Sequence, residues 1–200
     1  FIRNSAATAG GIMAAPVYLK NMITNSPNER VNIGLAGISG SRPRVRGMIS
    51  GRGITHINEY AKVPNAVITT ICDADQRLFG PVVNDIEKKY GARPKTQTDI
   101  RKMIEDKDIN VISLAIPDHW HALATIWSCQ AGKDVYVEKP VSYNIWEGRK
   151  MVEAARKYNR IVQAGICYRS SRAVKAGVKF IAEGKLGKVY MARGIVYGPR

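Results

Sequence analysis

A parallel α/β sheet, doubly wound with helices on both faces, is the fold these 200 residues specify. From Val31 onward, short apolar runs rich in β-formers alternate with longer segments of helical period, the alternation that crossover connections require. The runs are apolar throughout instead of at every second residue, as expected of strands covered on both sides. Glycine and proline punctuate the junctions, so the elements are joined by turns.

In chain order, "VNIGLAG" from 31, "AVITTIC" from 66, "NVISLAI" from 110, "DVYVE" from 134 and "RIVQAG" from 160 read as strands. Between them, "ITHINEYAK", "QRLFGPVVNDIEKKYG", "TDIRKMIEDKD", "HWHALATIWSCQAG" and "NIWEGRKMVEAARKYN" read as helices. The last is expected to bury Ile145, Trp146, Met151, Val152 and Ala155 and to turn its charges outward. Gly80-Pro81 should kink or split the second helix, because proline lacks the N–H and its ring crowds the preceding turn. After Gly165, "SSRAVKAGVKFIAEGKLG" is again helical with a glycine stop, and "KVYMARGIVYG" reads as a strand opening something new. The expected organisation is an export-signal-like segment and linker over 1–30, a sheet domain over 31–166 and the start of a truncated second α/β domain over 167–200.

Lys and Arg number 31 against 16 Asp and Glu, a formal charge of +15 that would suit nucleic acid, anionic lipid or an acidic small molecule. Nucleic acid is not the expected partner, since the basic residues are scattered and no helix-turn-helix, zinc or aromatic platform accompanies them. Cys72, Cys129 and Cys167 are too few and too far apart for a disulfide framework, and no CxxC pair exists. The stretch "FIRNSAATAGGIMAAPVYLK" is weakly apolar, about the length of a signal core, and too short and Gly-rich to span a membrane. It resembles the part of a twin-arginine export signal that follows the arginine pair, although that pair is not in this sequence; the competing reading is a frayed amphipathic tail. The expectation is an exported, periplasmic protein with no membrane attachment in its mature form, or a cytoplasmic one if the segment is only a tail.

A nucleotide site of Rossmann type needs a buried strand, a glycine turn at a helix N-terminus and an acid after the second strand. The first strand ends at Gly37, and Asp73 follows "AVITTIC". An acid about twenty residues past the turn is the expected spacing, and this assigns the helix-side turn to Gly51-Arg52-Gly53. Hydrophobicity assigns the strand-side glycine to Gly37, with Gly40 close behind, so the two halves of one turn have been pulled apart. Removing Ser41 to Ser50 restores a compact strand, turn and helix, and the segment reads as a ten-residue insertion. It either loops into solvent, reaches over the cofactor phosphates with Arg42, Arg44 and Arg46, or misplaces the amides and abolishes binding.

"DVYVEKPVSYNIWEGRKMVEAARKYNRIVQAG", together with "GRGITHI", "CDAD" and "IPDHWHALATIWSCQAGKD", resembles the nicotinamide-dependent Gfo/Idh/MocA oxidoreductases, the family of glucose-fructose oxidoreductase and inositol dehydrogenase. That resemblance implies a Rossmann domain followed by a substrate domain built on an open antiparallel sheet. It makes Lys139 the catalytic lysine, a base for the hydroxyl proton if burial or the cationic nicotinamide depresses its pKa. Pro140 would hold the turn, Glu138 would orient the lysine or the cofactor, and Pro117, Asp118 and His121 would line the nicotinamide side. Asp118 stands where many members carry Asn. Gln163 matches a position that approaches the cofactor.

Asp73 favours NAD by repelling a 2′-phosphate, while Arg77 keeps NADP open. His119 and His121 are two residues apart and diverge on a helix, so no metal is expected. His56 reads as packing or capping, and Trp120 as packing or cofactor wall. No acid and histidine pair like the family's follows the lysine, so catalysis by these 200 residues alone is not expected. The resemblance suits an NAD-dependent sugar or polyol dehydrogenase, an NAD-dependent glycosidase that oxidises its sugar transiently, or a non-catalytic homologue disabled by the insertion. A homo-oligomer through the second domain would follow the family habit.

Overall fold

The computed structural model describes residues 30–39 and 51–195. Residues 1–29 of the export-like segment, Gly40 and the Ser41–Ser50 stretch with its arginines lie outside the described residues. By internal packing the chain divides into two compact units, Phe1–Gly165 and Ile166–Arg200.

The first unit is a six-stranded, wholly parallel sheet in the order β3-β2-β1-β4-β5-β6. Its strands are β1 (Val31–Ala36), β2 (Ala66–Cys72), β3 (Lys95–Gln97), β4 (Val111–Leu114), β5 (Asp134–Glu138) and β6 (Val162–Gly165). Its helices are α1 (Arg52–Tyr60), α2 (Phe79–Tyr90), α3 (Ile100–Glu105), α4 (Asp118–Gln130) and α5 (Ile145–Lys157). Strand order reverses between β1 and β4, so the carboxyl ends of those two strands open the crevice where such sheets bind ligands.

Two cores explain the all-apolar strands. On one face Ile33, Leu35, Ile68 and Ile71 pack with Ile57 of α1 and Val82, Val83 and Ile86 of α2. On the other, Ile112, Leu114, Val135 and Val137 pack with Met103 of α3, Ala122, Ala124 and Cys129 of α4, and Met151 of α5. Small residues on α4 let it lie close to the sheet. Asn144 caps α5 by accepting from the Glu147 amide at 2.9 Å, while Glu147 accepts from the Tyr143 amide at 2.9 Å, a reciprocal arrangement that sets where the helix begins.

Four expectations are corrected. β3 carries no apolar run; "KTQ" is a short polar edge strand, which is how edges avoid pairing with other chains. The segment from Gln76 is split, as expected, but ahead of Gly80-Pro81 and not at it: a 3-10 turn, Gln76–Leu78, gives way to α2, and Pro81 sits in the first turn of α2, where the missing N–H has no intrahelical acceptor to lose. On α5 the buried residues are Met151 and Ala154, whereas Ile145 and Trp146 are 93% and 69% exposed. At 100° per residue, positions 145, 146 and 152 fall about 80° or more from that stripe.

The fourth correction lies in the second unit. It contains a 3-10 turn, Cys167–Ser170, and α6 (Arg172–Ala182), which Ser171 caps. Residues 188–195 of the expected final strand are not in a sheet, because no segment among the described residues pairs with them. Among the described residues no helix is long and apolar enough to cross a membrane.

Candidate functional site

Two glycines 16 positions apart in sequence close on each other at the carboxyl end of β1. A Cβ on Gly53 would stand 2.0 Å from the Gly37 carbonyl oxygen, and one on Gly37 would stand 2.3 Å from the carbonyl oxygen of Ala115 at the end of β4. Gly37 also has φ +83°, a left-handed conformation that side chains resist. The strand-side and helix-side halves of the turn are therefore in contact, although residues 40–50 intervene. Gly51 is extended, precedes α1 and offers no side-chain cap, and the first turn of α1 contains no acidic residue. A helix start of this kind, with its backbone N–H groups and positive dipole end, receives an anion.

Asp73 stands half-buried just past β2. Its Oδ2 accepts from the Ile38 amide at 2.8 Å and its Oδ1 from the Asp75 amide at 2.9 Å. Each carboxylate oxygen keeps a lone pair for a hydroxyl donor, which fits the ribose of a dinucleotide. Arg77, the residue that kept a 2′-phosphate open, is held by Asp75 in a two-point contact at 2.7 and 2.8 Å. A phosphate would have to compete with that carboxylate. The cradle of Gly37 and Gly53, the α1 N-terminus and Asp73 together fit an NAD-type dinucleotide.

A buried polar network joins this turn to the end of β5. Arg52 Nε donates to Glu138 Oε1 at 2.8 Å, and His56 Nε2 lies 3.0 Å from the same oxygen. His56 Nδ1 is 2.9 Å from Ser113 Oγ, which is 3.0 Å from the Tyr60 hydroxyl. Tyr136 meets the His56 ring edge-on, with centroids 5.2 Å apart. Burial holds the His56 imidazole below its ordinary pKa against the pull of Glu138. Burial would raise Glu138, but hydrogen bonds from His56 and Arg52 outweigh it and keep the carboxyl below its usual range. Burial likewise pushes the Tyr60 phenol up to about 12.

Glu138 Oε2 also accepts from the Lys139 amide at 3.2 Å. The Lys139–Pro140 bond is cis, and on its far side His121 Nδ1 donates to the Pro140 carbonyl at 2.6 Å. Lys139 itself is exposed and not partly buried, as one expectation had it.

Other expected residues are placed differently from one another. His121 is 1% exposed and is tied to the Pro140 backbone, beneath the turn. Pro117 stands exposed just before α4 at the carboxyl end of β4, on the crevice side of the sheet. Gln163 lies exposed on β6 opposite Tyr136, its amide donating to the Ala164 carbonyl at 2.9 Å. His56 is neither simple packing nor a cap. The only trace of its role in the sequence is its position four after Arg52, one helical turn on, while Ser113 and Glu138 lie 57 and 82 residues away. Among the described residues no His, Cys, Asp and Glu cluster could hold a metal ion.

Residues 45–166 match the family GFO_IDH_MocA, described as "Oxidoreductase family, NAD-binding Rossmann fold". The match begins past β1, inside the stretch read as an insertion. The chain is 30% identical over 158 residues to levoglucosan dehydrogenase of Pseudarthrobacter phenanthrenivorans, covering 74% of this chain and 39% of that one. It is 23% identical over 166 residues to glycosyl hydrolase family 109 protein 1 of Shewanella sp. strain ANA-3, covering 78% of this chain and 36% of that one. A solved levoglucosan dehydrogenase in complex with NADH and levoglucosan superposes with TM-score 0.60 at 28% identity, over 80% of this chain and 41% of the other. The chain thus spans well under half the length of the relatives it matches.

Proposed function

Since this chain belongs to the Gfo/Idh/MocA family of NAD-binding oxidoreductases, we propose that it is the nucleotide-binding part of an enzyme that oxidises a secondary alcohol of a sugar or polyol. The observation that carries this reading is the ion pair between Arg52 and Glu138 at 2.8 Å, which brings the first residue of the phosphate-facing helix beside the neighbour of Lys139. A bound nicotinamide supplies the hydride acceptor. Gly37, Gly53 and the α1 amides would receive its diphosphate, and Asp73 would accept from its ribose hydroxyls. Lys139 would take the hydroxyl proton as the alcohol carbon is oxidised to the ketone. Levoglucosan dehydrogenase among the relatives supports a carbohydrate substrate.

Calorimetry of NAD, and separately NADP, into this chain tests the nucleotide site without a substrate. NAD is expected to bind and NADP to bind more weakly; no heat from either would leave the disabled-homologue reading standing. In the whole protein, NADH formation on sugars and polyols tests the oxidation, and Lys139→Ala should abolish it. The glycosyl hydrolase family 109 relatives favour one second reading, transient oxidation followed by loss of the aglycone and re-reduction. Nitrophenol release from a nitrophenyl glycoside without net NADH would select it.

A further inference from the structure

Lys139 is flanked by two buried histidines that arrive from opposite faces of the sheet. His56 comes from α1 and meets Glu138, and His121 comes from α4 and meets Pro140. They are 6% and 1% exposed. We propose that His56 and His121 are positioning residues which grip the residues on either side of Lys139, each through one particular ring nitrogen, and so aim its amine into the crevice at the carboxyl ends of the strands. The proposal rests on the oxidoreductase reading for what the amine does, but the grip itself is a property of the fold.

The hydrogen-bond partners decide which nitrogen acts. A carbonyl oxygen only accepts, so the Pro140 contact requires the proton of His121 on Nδ1. Its Nε2 is buried with no partner among the described residues, which a bare acceptor nitrogen tolerates better than an N–H would. The opposite assignment holds for His56. Glu138 Oε1 is a carboxylate acceptor, so Nε2 carries the hydrogen and Nδ1 accepts from Ser113, whose oxygen accepts in turn from Tyr60. Every hydrogen in the run Tyr60, Ser113, His56, Glu138 then points the same way, and the run ends at the oxygen that Arg52 also holds. Two neutral-ring tautomers of opposite kind therefore clamp the buried Glu138 side chain and the Pro140 carbonyl, with the exposed Lys139 between them. A histidine that merely filled space would show no such preference for one nitrogen.

Amide side chains distinguish the two roles, because Gln carries its N–H at the reach of Nε2 and Asn at the reach of Nδ1. His56→Gln and His121→Asn retain the donor; His56→Asn and His121→Gln do not. The readouts are the rate at which acetyl-N-hydroxysuccinimide labels Lys139, followed by peptide mass spectrometry with and without NAD, and the affinity for NAD by calorimetry. Wild type should show slower labelling with NAD, by about tenfold for an amine held beside the ring. The matched variants should keep that protection. The mismatched ones should lose most of it while still binding NAD through the glycine turn and Asp73. Matched and mismatched variants behaving alike would overturn the proposal.

If NAD fails to bind wild type, the oxidoreductase reading falls while the clamp is still judged. Labelling without NAD must then change in the mismatched pair and not in the matched pair. Should a mismatched protein fail to fold, Ser113→Ala loosens only the far side of His56 and must alter Lys139 labelling in the same direction, or the proposal is wrong.

Discussion

Replacing Gly53 by alanine should damage the fold and the nucleotide site together. The new methyl would lie 2.0 Å from the Gly37 carbonyl oxygen and 2.8 Å from Ile38 Cα, where real contacts essentially never fall below 3.0 Å. Both obstacles are backbone, so no side chain can swing aside. The end of β1 and the start of α1 must part by about 1 Å, which overpacking studies put at a cost of about 1–3 kcal/mol. Alanine's better helix propensity returns up to about 1 kcal/mol. A net loss of about 1–2 kcal/mol lowers the melting temperature by roughly 2–8 °C for a domain of this size. Amides displaced by that distance should weaken NAD by about tenfold to a hundredfold.

Gly80 is the control for that substitution. It sits in the first turn of α2, where an added Cβ meets nothing within 4 Å beyond its chain neighbours and the helix's own backbone, and φ is not left-handed, so in Gly80→Ala a helix-propensity gain of up to about 1 kcal/mol is offset by crowding from the Pro81 ring, and NAD affinity should not change. Thermal melts and calorimetry with NAD measure both variants. A Gly53→Ala protein that melts and binds NAD like wild type would refute the reasoning, because Gly37 and Gly53 could not then be two halves of one phosphate turn.

Ser113→Ala leaves the His56 Nδ1 and the Tyr60 hydroxyl without their shared partner in a fully buried spot, and a chemical melt should show a loss of about 1–3 kcal/mol. Asp73→Asn keeps an oxygen for only one of the two amides, Ile38 and Asp75, that the carboxylate serves, and removes the charge, so it should cost about 1 kcal/mol of stability while NAD affinity falls about tenfold by calorimetry. The pH dependence of stability should carry the mark of His56. The fold lowers its pKa, so its contribution is complete above the ordinary imidazole value and is lost as pH falls through that value toward the depressed one. One proton limits the slope to about 1.4 kcal/mol per pH unit. Melts between pH 8 and 5, as about the range that brackets imidazole titration, should therefore be steeper for wild type than for His56→Gln. Glu138, also depressed, adds its own loss at more acid pH; equal slopes in the two proteins would show that the imidazole is not the group responsible.

Much of the fold is written in neighbouring residues. Apolar runs with polar, periodic segments between them suffice for a parallel sheet, since burial on both faces forbids any other pattern, and five of the six strands are legible in this way. The polar "KTQ" strand is not legible, because an edge is recognised by what pairs with it. The spacing of Asp73 points to the helix-side glycines and hydrophobicity to the strand-side Gly37, and the fold brings Gly37 and Gly53 together.

What that spacing could not contain is the contact between those ends, or the line of hydrogen bonds from Tyr60 through Ser113 and His56 to Glu138. These groups come from α1, β4 and β5, and they meet only because β4 lies between β1 and β5 in the finished sheet. Periodicity thus determines which apolar segments become strands, and spacing indicates where the glycines of the turn lie. Which side of a helix is buried and which partners a histidine's ring nitrogens meet depend on residues distant in sequence, 57 and 82 away for His56 and 19 for His121, and side chains so separated acquire a common environment only when the sheet assembles.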